Sequence, residues 1–343
     1  MHALIVKLGA IGDIVHALPV LAAVRNALPD VRVSWVAERR SAEILRGNPL
    51  IERLIEIDTR SLRKGNVATD ILPAMADQVR DLRSERYDVA IDLQGLIKSA
   101  AVAKLSGAPR RWGFDKANLR EPAGRVFYTD TVSFPDGTHV IRKNLELAAA
   151  ALGFAQPEHP EFPIYTAAEH EAEADSIARL AGGPFAILNP AGGWETKLWR
   201  ARDFGVLADL VNSRTGLRPV IAVAPNERVL AEEVLANSRS GAALVTTPSL
   251  KGFYELARRC EVYVGGDTGP THLAIAAGAK AVGIFGPTEW WRNGSLAAGD
   301  ICVERTDIPC RVDCHRRTCS KWICMDIAPE AVANAVVERM ARG

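Results

Sequence analysis

Val262-Tyr-Val-Gly-Gly-Asp-Thr-Gly-Pro-Thr-His272, running on into Leu273-Ala-Ile-Ala-Ala-Gly278, is the stretch on which the reading of this chain turns. Val262 to Val264 reads as a short buried strand, Gly265 and Gly266 let the backbone turn tightly, and 267–271 forms the tip. An apolar helix follows from Leu273. A helix that starts directly after such a loop aims unpaired N–H groups and its positive dipole end outward, which makes a seat for a phosphate. Set beside that seat, the carboxylate of Asp267 and the imidazole of His272 suit a phosphorylated sugar, with Asp267 reading hydroxyls. The same residues also fit a plain strand-to-helix turn with an Asp or Thr cap and Pro270 in the first helical turn, so the stretch alone leaves both readings open.

Moving outward, the pattern before and after this stretch is strand, loop, helix. Phe185 to Leu188, Pro219 to Ala224, a weak Ala243 to Val245 and Ala281 to Phe285 are strands, with helices at 168–180, 201–213, 228–235 and 250–257. The loop Asn189-Pro-Ala-Gly-Gly-Trp-Glu-Thr-Lys197 offers amides, the Thr196 hydroxyl and the Lys197 charge to a diphosphate, or else carries a surface lysine before a helix. Glu227 follows the next strand, where it can accept from ribose hydroxyls or complement a helix dipole.

The N-terminal half repeats the scheme. Ala3 to Leu8 is a compact strand, Gly9-Ala-Ile-Gly-Asp13 a loop, and Ile14 to Leu28 a helix. The loop is neither a dinucleotide nor a Walker loop, because the Lys-Ser/Thr pair is missing. Asp13 would stand at the carboxyl end of the first strand, as a catalytic group or a helix cap. Val31 to Ala37, Leu54 to Ile57 and Asp88 to Gln94 are further strands. After them come Arg60, Arg63 and Lys64, then Gln94 and Lys98, then the cationic segment Arg110-Arg-Trp-Gly-Phe-Asp115 with Arg120. Three such loops converging on one mouth of the sheet would make a site for an anionic acceptor; each taken singly is ordinary solvated surface. Helix Val140 to Leu152 leads to Gln156-Pro-Glu-His-Pro-Glu-Phe-Pro163, whose three prolines mark a linker. The expected division is 1–156, then 164–328 with a cysteine-rich segment 302–324, then a helix over 329–343 packing at the junction.

Bulk properties narrow the function classes. The 343 residues suffice for two cores, and 42 basic against 41 acidic residues give no field for nucleic acid. Through residue 150 there are 22 basic and 18 acidic residues, which puts an anionic partner nearer the first half. No uncharged apolar run reaches the roughly 18 to 20 residues of a membrane span, and Gly9, Gly12 and Asp13 interrupt any signal-like start, so the chain is expected to stay where it is made. Cys310-x3-Cys314-x4-Cys319-x4-Cys324 lacks the paired Cys-x2-Cys knuckles of a zinc ribbon. A structural zinc or iron, free thiols, and disulfides all stay open for it; it does not read as an open catalytic metal site.

Taken as a set, Lys7-Leu-Gly-Ala-Ile-Gly-Asp13, Asp92-Leu-Gln-Gly95, Trp112-Gly-Phe-Asp115, Arg120-Glu-Pro122, Trp194-Glu-Thr-Lys197, Glu227 and Gly266-Asp-Thr-Gly-Pro-Thr-His272 resemble the family-nine glycosyltransferases nearly end to end. The resemblance implies an α/β fold of GT-B architecture, two Rossmann-like doubly wound domains facing a central cleft. It implies ADP-heptose as donor, a Kdo-bearing lipid A type acceptor at the cytoplasmic face of the inner membrane, peripheral attachment there, inversion at the anomeric carbon, and no required cofactor. By the same resemblance Asp13 is the general base, Thr196 and Lys197 hold the diphosphate, and Glu227 contacts the nucleoside. Asp267, Thr268, Gly269, Pro270, Thr271 and His272 grip heptose and phosphates, while Arg60, Arg63, Lys64 and Arg120 meet the acceptor. Gly192 and Gly193 stand where some members carry hydroxyls, so contacts there would come from amides. The rival expectations are a family-nine transferase for a later heptose or another sugar, a two-domain sugar-nucleotide epimerase, a non-catalytic nucleotide-sugar sensor, and a scaffold docking through its cysteine tail.

Overall fold

A computed structural model describes residues 1–59, 72–310, 314 and 316–342. The chain forms two units, Met1–Tyr165 and Thr166–Gly343, dividing just beyond the proline-rich run. In the first, six strands alternate with helices: β1 (His2–Val6), α1 (Ile11–Val15), α2 (Pro19–Ala27), β2 (Arg32–Glu38), β3 (Arg53–Ile57), α3 (Leu72–Leu82), β4 (Val89–Asp92), α4 (Ile97–Leu105), β5 (Arg110–Phe114), β6 (Asp130–Val132) and α5 (Val140–Leu152). The second begins with α6 (Ala168–Ala181), β7 (Phe185–Asn189), α7 (Ala201–Thr215), β8 (Arg218–Ala222), α8 (Arg228–Ala236), β9 (Leu244–Thr246) and α9 (Leu250–Ala257). It continues with β10 (Val262–Gly266), α10 (Gly269–Ala276), β11 (Ala281–Phe285), α11 (Trp290–Asn293), β12 (Ile301–Glu304) and α12 (Pro329–Ala341).

Both sheets are parallel and share one topology. The orders are β3-β2-β1-β4-β5-β6 and β12-β11-β10-β7-β8-β9. The first and fourth strands of each unit are therefore neighbours: Leu4 pairs with Ala90, and Leu188 with Val264. Helices cover both faces of such a sheet, so its central strands are apolar throughout, and all five residues of β1 and of β10 are buried. Leu4, Val6, Val36, Ile55 and Ala90 centre one core; Leu188, Phe204, Ile221, Val264 and Ile284 centre the other. Between the first and fourth strands the connections run off in opposite directions, which opens a crevice beyond the strands' carboxyl ends.

Three expectations need correcting. The single helix expected from Ile14 to Leu28 is two, because Pro19 has no N–H to donate and instead opens α2 at its first position. Arg110 to Phe114, expected as a cationic loop, is β5, paired to β4 and β6. Its arginines are absorbed locally: Arg111 donates to the carbonyls of Ala108 at 2.8 Å and Phe127 at 2.9 Å, and Arg110 lies 5.6 Å over the Trp112 ring. The helix expected from Leu273 begins four residues earlier, at Gly269, so the tip residues are its first turn. The terminal helix α12 buries Val332, Ala333, Ala335 and Val336 in the second unit's own core.

Candidate active site: two switch points

In the second unit the loops after β7 and β10, the strands flanking the crevice, bring Lys197 and Asp267 together. The Lys197 ammonium donates to Asp267 Oδ2 at 2.5 Å and to the Asp267 carbonyl at 3.2 Å, and it sits 3.9 Å over the Trp194 ring. Asp267 Oδ1 accepts from Asn293 Nδ2 at 2.8 Å and pairs with His272 Nε2 at 3.1 Å. Burial by itself would raise the Asp267 pKa, but the bonds and charges of His272 and Lys197 overwhelm it and hold the carboxyl far below the usual carboxylate range. With only 5 % of the residue exposed, Asp267 is an anchor for three side chains rather than an open acceptor for sugar hydroxyls.

The glycines make this approach workable. A Cβ on Gly266 would stand 3.3 Å from the Lys197 carbonyl, and one on Gly265 would collide with the Tyr263 hydroxyl. That hydroxyl is 2.8 Å from Thr271 Oγ1, which in turn donates to the Gly266 carbonyl. The Thr271 side chain thus ties the tip of the loop to its base. The first turn of α10 is partly exposed at Gly269 and Pro270, while Thr271 and the preceding Thr268, whose side chain makes no cap bond, are buried. The helix N-terminus and the Lys197 ammonium are the positive end of the site.

Thr196 and Glu227 are placed differently from a simple ligand contact. Thr196 is buried and its hydroxyl donates to the Arg316 carbonyl at 2.5 Å, so the hydroxyl is turned into the cysteine-rich segment. Glu227 follows β8; one carboxylate oxygen accepts from the Ala224 amide at 3.1 Å. Asn293 on the four-residue α11 carries no sequence signal, and its place in the Asp267 network was missed.

In the first unit Asp13 lies on α1, directly after β1. Its Oδ2 accepts from the Ala10 amide at 3.0 Å; among the described residues Oδ1 makes no hydrogen bond. Asp13 thus does not cap a helix starting at Ile14: it is the third residue of α1 and reaches back to the Ala10 amide. Behind it the neighbouring strand supplies a fully bonded carboxylate. Asp92 accepts from Tyr128 Oη at 2.7 Å, Ser99 Oγ at 2.8 Å and the amides of Gln94 and Gly95. Burial pushes its pKa up against the pull of these donors, and pushes the Tyr128 hydroxyl far up as well. Lys7, also buried, donates to the Leu93 carbonyl at 2.7 Å; burial lowers its pKa while Asp13 and Asp92 act against that shift.

Among the expected acceptor-side residues, Gln94 is a fastener: its Oε1 accepts from the amides of Leu8 at 3.2 Å and Gly9 at 3.3 Å. Lys98 is spoken for by Glu38 at 2.9 Å, a buried carboxylate that it and Thr59 hold below the usual range against the effect of burial. Arg120 is exposed. Arg60, Arg63 and Lys64 lie outside the described residues.

All six cysteines are unbridged thiols. Cys310, Cys314, Cys319 and Cys324 line one cavity of about 30 Å³. Among the described residues no three His, Cys, Asp or Glu side chains are grouped so that they could hold a metal ion. No described helix is long and apolar enough to cross a membrane.

A family model, "Glycosyltransferase family 9 (heptosyltransferase)", matches residues 75–323. "Lipopolysaccharide heptosyltransferase 1" of Pseudomonas aeruginosa is 28% identical over 323 residues, covering 93% of this chain and 88% of that protein. A solved structure, "E. coli heptosyltransferase WaaC with ADP", is 26% identical, with a TM-score of 0.75 over 88% of this chain and 92% of the other. A second, "E. coli heptosyltransferase WaaC with ADP-2-deoxy-2-fluoro heptose", superposes with a TM-score of 0.79 over 98% and 99% of the two chains at 24% identity, a likeness of fold.

Proposed function

From the premise that this chain belongs to glycosyltransferase family 9, the heptosyltransferases, we propose that it transfers L-glycero-D-manno-heptose from ADP-heptose to the Kdo of a lipid A type acceptor. Transfer proceeds with inversion in one in-line displacement. The observation that carries the reading is that each unit has a charged group at the switch point of its own sheet: in the first the Asp13 carboxylate with one oxygen unbonded among the described residues, in the second the Lys197 ammonium beside the N-terminus of α10.

The acceptor hydroxyl gives its proton to Asp13 Oδ1 as its oxygen bonds to the anomeric carbon. The bond from that carbon to the β-phosphate oxygen breaks, and its electron pair leaves with ADP. A carboxylate is a weak base for an alcohol, so the proton moves late and in concert with attack. The charge growing on the leaving phosphate is met by Lys197 and by the first-turn amides of α10. Lys197 is held for this by Asp267, His272 and Asn293 lock Asp267, and Glu227 keeps one oxygen for the ribose. The acceptor's anionic groups are met by Arg120, with Arg60, Arg63 and Lys64 on the same side of the reading. Gln94 and Lys98 position the surrounding loops instead of touching sugar.

No step is routed through a cofactor, and the cysteine cluster is assigned at most a structural zinc or iron. The acceptor's lipid places the work at the cytoplasmic face of the inner membrane, with the chain attached peripherally. Purified protein, ADP-heptose and a delipidated Kdo acceptor test the reading. ADP release with a heptosylated product supports it; an isomerised sugar nucleotide, or binding without turnover, replaces it with an epimerase or a sensor.

A further inference from the structure

Among the described residues, the first unit exposes the large apolar side chains of Met1, Ile97, Leu105, Val126 and Tyr165. Met1 and Tyr165 stand at its two ends. The other three share one surface. Ile97, Ala101, Lys104 and Leu105 form a stripe along α4, since residues three and four apart lie on one helix face. The core takes Ser99, Ala100 and Ala103 instead. Beside the stripe runs a short 3₁₀ segment, Pro122–Phe127. A Cβ at Gly124 would stand 3.7 Å from the Ala100 Cβ and from the Ile97 nitrogen, and Glu121 accepts from the Ile97 amide at 2.8 Å. On this segment Val126 is 79 % exposed, and Pro122 and Ala123 are exposed with it.

Charge is gathered on the same stretch. Residues 97–129 hold seven basic and two acidic residues. Both acids are turned to the backbone: Glu121 to Ile97, and Asp115 to the Ala117 amide at 3.2 Å. Lys98 is spent on Glu38, and the arginines of β5 on carbonyls and a ring. That leaves Lys104, Lys116, Arg120 and Arg125. The first three are exposed, Arg125 donates only to the Tyr128 carbonyl at 3.1 Å, and none of the four forms an ion pair among the described residues. Exposed aliphatic side chains gain little from a bare polyanion, and unpaired cations gain nothing from an apolar groove. An anionic bilayer rewards both, because aliphatic tips sink into the acyl boundary while ammonium and guanidinium groups stay with the phosphates.

We propose that α4 and the 122–127 segment dock the first unit on an anionic phospholipid surface. Val126, Ile97 and Leu105 enter the headgroup boundary, and Lys104, Lys116 and Arg125 meet lipid phosphates. The choice of a bilayer rests on the lipid-borne acceptor proposed above: Arg120, assigned there to the acceptor's anions, belongs to the same cationic stretch.

The test sediments the full chain with vesicles of phosphatidylcholine alone and with vesicles of phosphatidylcholine and phosphatidylglycerol. Binding should require the anionic lipid and fall as salt is added. Val126→Asp should weaken it by about tenfold, and Lys104→Gln and Lys116→Gln by about fivefold each. These side chains are exposed and outside the proposed reaction, so each variant should unfold like wild type and turn over a delipidated acceptor at the wild-type rate. Failure to sediment with either vesicle overturns the docking. So does salt-sensitive binding that is indifferent to Val126→Asp, which belongs to a face for soluble polyanions. Equal binding to neutral vesicles overturns the part given to the cations. A chain that heptosylates the soluble acceptor but never sediments loses the docking and keeps the activity; one that sediments as expected but transfers nothing loses the activity and keeps the docking.

Discussion

The two crevices are built on one topology and finished in opposite ways. In the second unit the charged groups are bonded to one another: Lys197, His272 and Asn293 converge on Asp267, and little of any of them is left for local rearrangement. In the first, bonding is complete one layer back, around Asp92, while Asp13 in front keeps an oxygen in reserve. A group that binds charge benefits from being fixed beforehand, since it then costs no reorganisation when the leaving group develops charge. A group that must accept a proton has to keep a lone pair unspent. The unequal bonding fits the proposed division of labour, with the second unit holding charge and Asp13 taking the proton.

The contrast can be attacked most sharply at Asp13. Asp13→Ala should cut turnover by about 10³-fold or more while ADP affinity in calorimetry is preserved; near-normal turnover would remove the base assignment. Next comes the ion pair. Lys197→Met leaves a buried carboxylate with its charge uncompensated, so denaturant unfolding should register a loss of about 3 kcal/mol, and kcat/KM should fall by about 10²-fold. Asp92→Asn keeps the shape but changes an acceptor into a partial donor facing Tyr128 and Ser99. It should cost about 1 to 3 kcal/mol in unfolding with ADP binding unaffected, because its role lies in the other unit. Asn293→Ala removes one bond to Asp267 and should raise the donor KM by about tenfold with kcat nearly kept.

Acid titration gives the smallest signal. The folded pKa of Asp267 lies below its ordinary 3.8, so its stabilising contribution is whole above 3.8 and disappears only as pH falls through the lower folded value. The difference in melting temperature between wild type and Asp267→Asn should therefore stay level from neutral pH down to about 4 and shrink only below that.

The fold was legible because burial on both faces of a parallel sheet writes itself as short apolar runs, and β10 and β11 stand out in the sequence for that reason. Where an edge strand carries charge the signal fails. Arg110 and Arg111 begin β5, and their side chains are satisfied by carbonyls and a ring that no local pattern announces. The sites were half legible. Loops after strands located Asp13, Lys197 and Asp267, yet which polar group spends its bonds on which partner depends on chain brought from afar. Thr196 is held by Arg316, Lys98 by Glu38, and Asp267 by Asn293 on a helix of one turn. Residues of the right type at the right loop thus include fasteners such as Thr196, Gln94 and Lys98.

Gln94 shows what such a fastener does. Past the end of the ladder the neighbouring strands part, and one carboxamide oxygen bridges the gap to the amides of Leu8 and Gly9. The bend that aims Asp13 is thereby stitched to a strand that arrives some eighty positions later, and its sideways compliance is set by that stitch. If Asp13 is the base proposed above, displacing it by a single ångström would forfeit about a hundredfold in rate, and the mechanical stiffness of this corner would count as much as the carboxylate itself.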